Sequence, residues 1–138
     1  DLSYLTDMDP GLPVQGRKPM NIQEFYRFIN EDFNDFFSRL PNVSSIEKFV
    51  RQFEIDQSYS KLLSSVQDEN VQNTFAALLT LKGIALNLGF RHLSDSLDSM
   101  LVHLRKTGIV DREQCAQFLQ EISIIYNNII DGIHQLEL

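Results

Sequence analysis

From Asn21 onward the apolar residues of this chain recur every three or four positions, the spacing of amphipathic helices. Ile22, Phe25, Ile29, Phe33, Phe36 and Leu40 form the stripe of a first helix. Asn21 is placed to cap it, with Glu24 in the capping-box position, and Pro41 ends it. A second helix starts at Ser44, with Glu47 as its box partner, and carries Ile46, Phe49, Val50 and Phe53. The pattern breaks between Asp56 and Ser58, which reads as a kink or a boundary. It resumes through Tyr59, Leu62, Leu63 and Val66. A third helix runs from about Glu69 to Leu88, with Gly89 as its left-handed stop. Leu93, Leu97, Met100, Leu101 and Leu104 mark a fourth, ending near Gly108. The last begins at Asp111, with Gln114 as box partner, and lines up Phe118, Leu119, Ile122, Ile125, Ile129, Ile133 and Leu136. No segment alternates with the period of a strand. Helices joined by short connections predict an all-α, antiparallel up-and-down four-helix bundle with an additional N-terminal helix.

Residues 1–20 break every helical period, because Pro10, Gly11, Pro13, Gly16 and Pro19 fall within ten positions. They read as a flexible tail, a linker or an expression remnant, leaving residues 21–138 as one helical domain. Met20 stands where a natural start would fall. A net charge of -7 argues against nucleic-acid binding, which needs a basic face to neutralise phosphates. One cysteine, Cys115, cannot form an internal disulfide. No apolar run approaches the roughly 20 residues of a membrane span, and the N-terminus lacks the apolar stretch of a signal peptide. A cytoplasmic location is the expectation, with no membrane partner, metal or cofactor.

The third helix carries the most information. Gly83 sits inside it, where glycine costs about 1 kcal/mol relative to alanine. Either another surface approaches closely there, or the helix packs tightly against a neighbour. The surrounding sequence is Leu78-Leu79-Thr80-Leu81-Lys82-Gly83, followed by Asn87-Leu88-Gly89-Phe90. This stretch resembles the motif of the histidine-phosphotransfer (HPt) family, close to Ala-His-x-Leu-Lys-Gly and then Asn-hydrophobic-Gly. Upstream, the segments Asn21–Tyr26 and Ile46–Phe53 are similar to that family's first two helices, so the likeness covers roughly residues 20–106.

The resemblance implies roles for three positions. In the family, the histidine accepts a phosphoryl group from an aspartyl phosphate on a receiver domain and passes it on. A lysine one turn later helps neutralise the phosphate, and the next glycine leaves room for the receiver. These positions fall on Leu79, Lys82 and Gly83. Lys82 and Gly83 are kept; the histidine is not. Phosphohistidine needs a ring nitrogen with a lone pair, which leucine lacks. Positioning and charge do not replace a missing nucleophile. The implied function is a non-phosphorylatable, non-enzymatic module. Its implied partners are a response-regulator receiver domain or a histidine kinase.

Helical phase, at about 100° per residue, places Val71, Thr74, Leu78, Leu81, Ala85 and Leu88 on the buried stripe. Gln72, Ala76, Leu79, Lys82, Gly83 and Leu86 then share the outward face, with an apolar strip around Gly83 as a candidate protein-binding surface. The alternative is a structural or oligomerisation bundle, in which a symmetry mate, the tail or the last helix covers that strip. A monomer or a weak homodimer is expected.

None of the three histidines replaces the lost one. His92 follows the Gly89 stop, His103 shares a polar face with Ser96 and Ser99, and His134 lies near the C-terminus. The carboxylate pairs Asp95/Asp98, Asp32/Asp35 and Asp68/Glu69 are ordinary helix-surface features, and catalysis by them is not expected. Cys115, in the first turn of the last helix, has either a pKa lowered by the helix N-terminus or the role of a partly buried small residue.

Overall fold

The computed structural model describes residues 19–136. Seven helices lie among the described residues: α1 Ile22–Phe28, α2 Phe33–Arg39, α3 Val43–Ile55, α4 Ser58–Gln67, α5 Val71–Asn87, α6 Arg91–Thr107 and α7 Arg112–His134. They contain no strand, only one isolated bridge, where Met20 donates its N–H to the Gln135 carbonyl at 2.8 Å. Met20 is therefore tied to the end of α7. The rest of the segment read as a tail, residues 1–18, lies outside the described residues.

The expected first helix is two helices. Ile29 ends α1, Asn30 adopts a left-handed φ of 61°, and Glu31 donates its N–H to the Tyr26 carbonyl at 2.8 Å. That is a Schellman stop built on asparagine instead of glycine. Asp32 then caps α2 by accepting from the Asp35 N–H at 3.2 Å. The apolar spacing runs from Ile29 to Phe33 across the turn, so periodicity alone conceals it. The same stop ends α4, where Glu69 has φ 52° and Asn70 donates to the Ser65 carbonyl at 2.9 Å. Glu69 is thus a turn residue, and Asn70 caps α5.

The expected Ser44 start is also corrected. Asn42 caps α3 by accepting from the Ser45 N–H at 3.1 Å, and the helix begins at Val43. The break at 56–58 is a true boundary between α3 and α4. At α7 the Asp111 carboxylate accepts from the N–H groups of Glu113 and Gln114, but the reciprocal bond expected from the Gln114 side chain is not formed. The Asn21–Glu24 capping box forms fully, with bonds of 2.8 and 3.2 Å.

Helix α5 packs between α4 and α6; α6 packs on α7, and α7 returns to touch α1, α3 and α4. An aromatic cluster fixes the N-terminal helices to the α5–α6 turn. The Tyr26 ring lies 5.4 to 5.9 Å from the rings of Phe33, Phe36 and Phe90. Its hydroxyl donates to the Leu88 carbonyl at 2.6 Å, satisfying a group that the end of α5 leaves open. Gly89, with φ +76°, brings the turn within 3.2 Å of Phe36 when a Cβ is placed on it. Phe90 offers α6 no side-chain cap, and Glu31 supplies one from afar, accepting from the His92 N–H at 2.9 Å. Burial nevertheless holds the Glu31 carboxyl above the usual range.

Gly132 in α7 is a close-packing site. A Cβ there would stand 2.8 Å from the fully buried Phe25 ring and 3.0 Å from Phe28. Gly132→Ala is expected to destabilise the protein by about 1–3 kcal/mol through overpacking, although alanine is the better helix former. Urea denaturation measures it, and an unchanged midpoint would contradict the packing.

Candidate functional site

The outward face of α5 has the phase read from the sequence. Thr74, Leu78, Leu81, Ala85 and Leu88 are buried, whereas Leu79 is 43% exposed and Leu86 47% exposed. Gln72 and Ala76 are exposed, and Lys82 and Gly83 are half-buried. Val71 corrects the stripe: it is 37% exposed, because α5 has only just left its Asn70 cap and the neighbouring helices do not cover its first turn. The half-buried Phe75 precedes Leu79 by one turn and adjoins Arg105 of α6, whose guanidinium lies 5.5 Å from the ring centroid. The apolar strip therefore runs from Val71 through Phe75 and Leu79 to Leu86. Among the described residues, α7 does not cover Leu79 or Leu86.

Gly83 lies in the middle of this face, and a Cβ placed on it meets nothing within 4 Å. Among the described residues, tight packing is therefore not the reason for this glycine. Gly83→Ala is expected to stabilise the isolated protein by about 0.5–1 kcal/mol, the difference in helix propensity. Thermal or urea unfolding reads it, and a loss of stability would mean that the space above Gly83 is not open.

Lys82 is engaged within the protein. Its ammonium donates to Asp98 Oδ1 of α6 at 2.7 Å. The hydrogen bond and charge of Lys82 hold the Asp98 carboxyl below the usual carboxylate range. The pair spans the Gly89 turn, 16 residues apart in sequence, so nothing in the local spacing identifies it. A folded-state pKa below the unfolded one means that the contribution of the pair is present above the ordinary carboxylate pKa and is lost as pH falls through the folded value. A carboxyl-carbon NMR titration is expected to show Asp98 titrating low, and Lys82→Ala is expected to return it to the ordinary range. An Asp98 pKa unmoved by that change would contradict the pairing.

Most of the remaining candidates make structural contacts. His92 places Nε2 at 3.0 Å from the Asn30 carbonyl, and His134 pairs with Glu54. His103 is half-buried, its ring 5.0 Å from Phe118. Ser96 does not share a polar face with it: Ser96 is buried, and its hydroxyl donates to the Leu93 carbonyl within the first turns of α6. Asp35 pairs with Arg39, and Glu69 with Arg112. Cys115 is buried, and burial pushes its thiol pKa up, opposite to the activation that a helix N-terminus would give. No group of three or more His, Cys, Asp or Glu side chains able to hold a metal exists among the described residues. No helix among them is long and apolar enough to cross a membrane. No family model, curated protein or solved structure matches the chain.

Proposed function

We propose that this chain is a degenerate HPt-like domain: an antiparallel four-helix bundle with an extra N-terminal helical segment that binds signalling proteins without carrying phosphate. The partner is a receiver domain or a histidine kinase, and the module acts as scaffold, competitor or regulator in a two-component phosphorelay. The observation that carries the reading is Gly83. Its cost in the helix has no explanation among the described residues, and it lies between two exposed leucines, Leu79 and Leu86, on the outward face of α5. A partner surface seated against that face gives the glycine a reason. Leu79 offers no nucleophile, and the Lys82 ammonium is already engaged by Asp98.

Incubation with phosphorylated receiver domains is expected to leave no acid-labile label on this protein. Label on any histidine would overturn the claim that it carries no phosphate. In calorimetric titrations against the receiver domains and kinases of the source organism, at least one is expected to bind, and Leu79→Glu is expected to weaken it tenfold or more. This follows from burying an unpaired carboxylate at an apolar contact. Absence of binding to all of them would overturn the signalling role.

The exposed strip of Val71, Phe75, Leu79 and Leu86 supports a second reading, a bundle that self-associates through α5. Sedimentation distinguishes the two: a dimer dissociated by Leu79→Glu supports self-association, and a monomer unaffected by the change opposes it.

A further inference from the structure

A cleft of about 490 Å³ opens between α2, α3 and the C-terminal turn of α5. Its size lies within the range of small-molecule sites. Phe36, Phe53 and Leu88 are buried and fix its inner wall, and Phe49 stands at its mouth, 44% exposed. The sequence placed Phe49 on the buried stripe of its helix, but no neighbouring helix covers it. Along α5 its residues Ile84 and Leu88 follow the phase of the buried stripe, at about 100° per residue, and Asn87 lies one turn beyond Gly83 at the edge of the outward face.

The polar groups of the cleft select a ligand class. Gln52 and Asn87 line it from α3 and α5, both exposed to solvent, and neither side-chain amide is engaged by another described residue. Each amide offers both a donor and an acceptor. The charged groups at the cleft are already engaged and opposite in sign. Arg39 lies over the Phe36 ring at 5.8 Å and pairs with Asp35, and Asp56 accepts from the Ser58 N–H at 2.8 Å. The lining thus carries one charge of each sign, Arg39 and Asp56, and the net charge of -7 disfavours anions at long range.

We propose that this cleft binds an uncharged, planar aromatic compound with a hydrogen-bond donor and acceptor on one edge. The ring packs among Phe36, Phe49 and Phe53 in the offset or edge-on geometries that aromatic pairs prefer. The polar edge meets the amides of Gln52 and Asn87.

The probe is indole-3-carboxamide. The chain has no Trp, so the emission of the probe is read without indole background from the protein. Titration is expected to give saturable binding, with the side-chain amide signals of Gln52 and Asn87 shifting in nitrogen-15 NMR spectra. Gln52→Leu and Asn87→Leu are each expected to weaken binding about three- to tenfold, the contribution of one hydrogen bond. Phe49→Ala, at a half-exposed position, is expected to retain the helical circular-dichroism spectrum and weaken binding at least as much. Indole-3-acetate, the same ring with a negative charge, is expected to bind more weakly. The proposal is overturned by no saturable binding up to the solubility limit of the probe, by affinity unchanged in all three variants, by shifts confined to residues around Leu79 and Leu86, or by tighter binding of the acetate.

Discussion

Helix α5 is held on two sides, by α4 and by α6, and its C-terminal end is clamped by the Tyr26 hydroxyl on the Leu88 carbonyl. That constraint fixes the rotation of the helix about its own axis. With Leu78, Leu81 and Ala85 committed to the core, Leu79 and Leu86 have nowhere to point but outward. A helix with one covered face normally carries polar residues on the other. Here the other face carries Val71, Leu79 and Leu86 exposed among its polar residues, and its central position is a glycine. Neither choice helps the isolated protein fold.

Electrostatics follows from the same packing. Because α5 and α6 lie side by side after the tight Gly89 turn, Lys82 and Asp98 meet across the groove between them. An ion pair this exposed contributes little to stability, but it alters what the face can attract. A free ammonium would draw phosphate more strongly than the compensated pair does. A leucine at position 79 offers no nucleophile, and the ammonium beside it is already paired.

Much of this was legible in the sequence, because the buried and exposed faces of a helix follow from phase alone. Periodicity identified the helical class and the outward Leu79 and Leu86, and capping chemistry identified the starts at Asn21 and Asp111. It failed where a stop used an unusual residue. Asn30 and Glu69 reverse the chain with positive φ, while the apolar spacing continues past them or resumes without a glycine to mark the turn. It also failed where the deciding contact was distant. The Lys82–Asp98 pair, the Glu31 cap on α6 and the Phe25 ring against Gly132 join residues whose proximity exists only in the folded state. Val71 and Phe49 misled for a related reason: phase gives the direction of a side chain but does not say whether a neighbouring helix extends far enough to cover it.

The central claim is that the outward face of α5 is a protein-docking surface. The most direct measurement is the nitrogen-15 NMR spectrum of the labelled chain as a receiver domain or histidine kinase from its own organism is added. The account predicts that the perturbed backbone amides cluster on Ala76, Leu79, Lys82, Gly83 and Leu86, with Asp98 and Arg105 at the border. Perturbations centred on another helix, or a spectrum unchanged by every such partner, would contradict it.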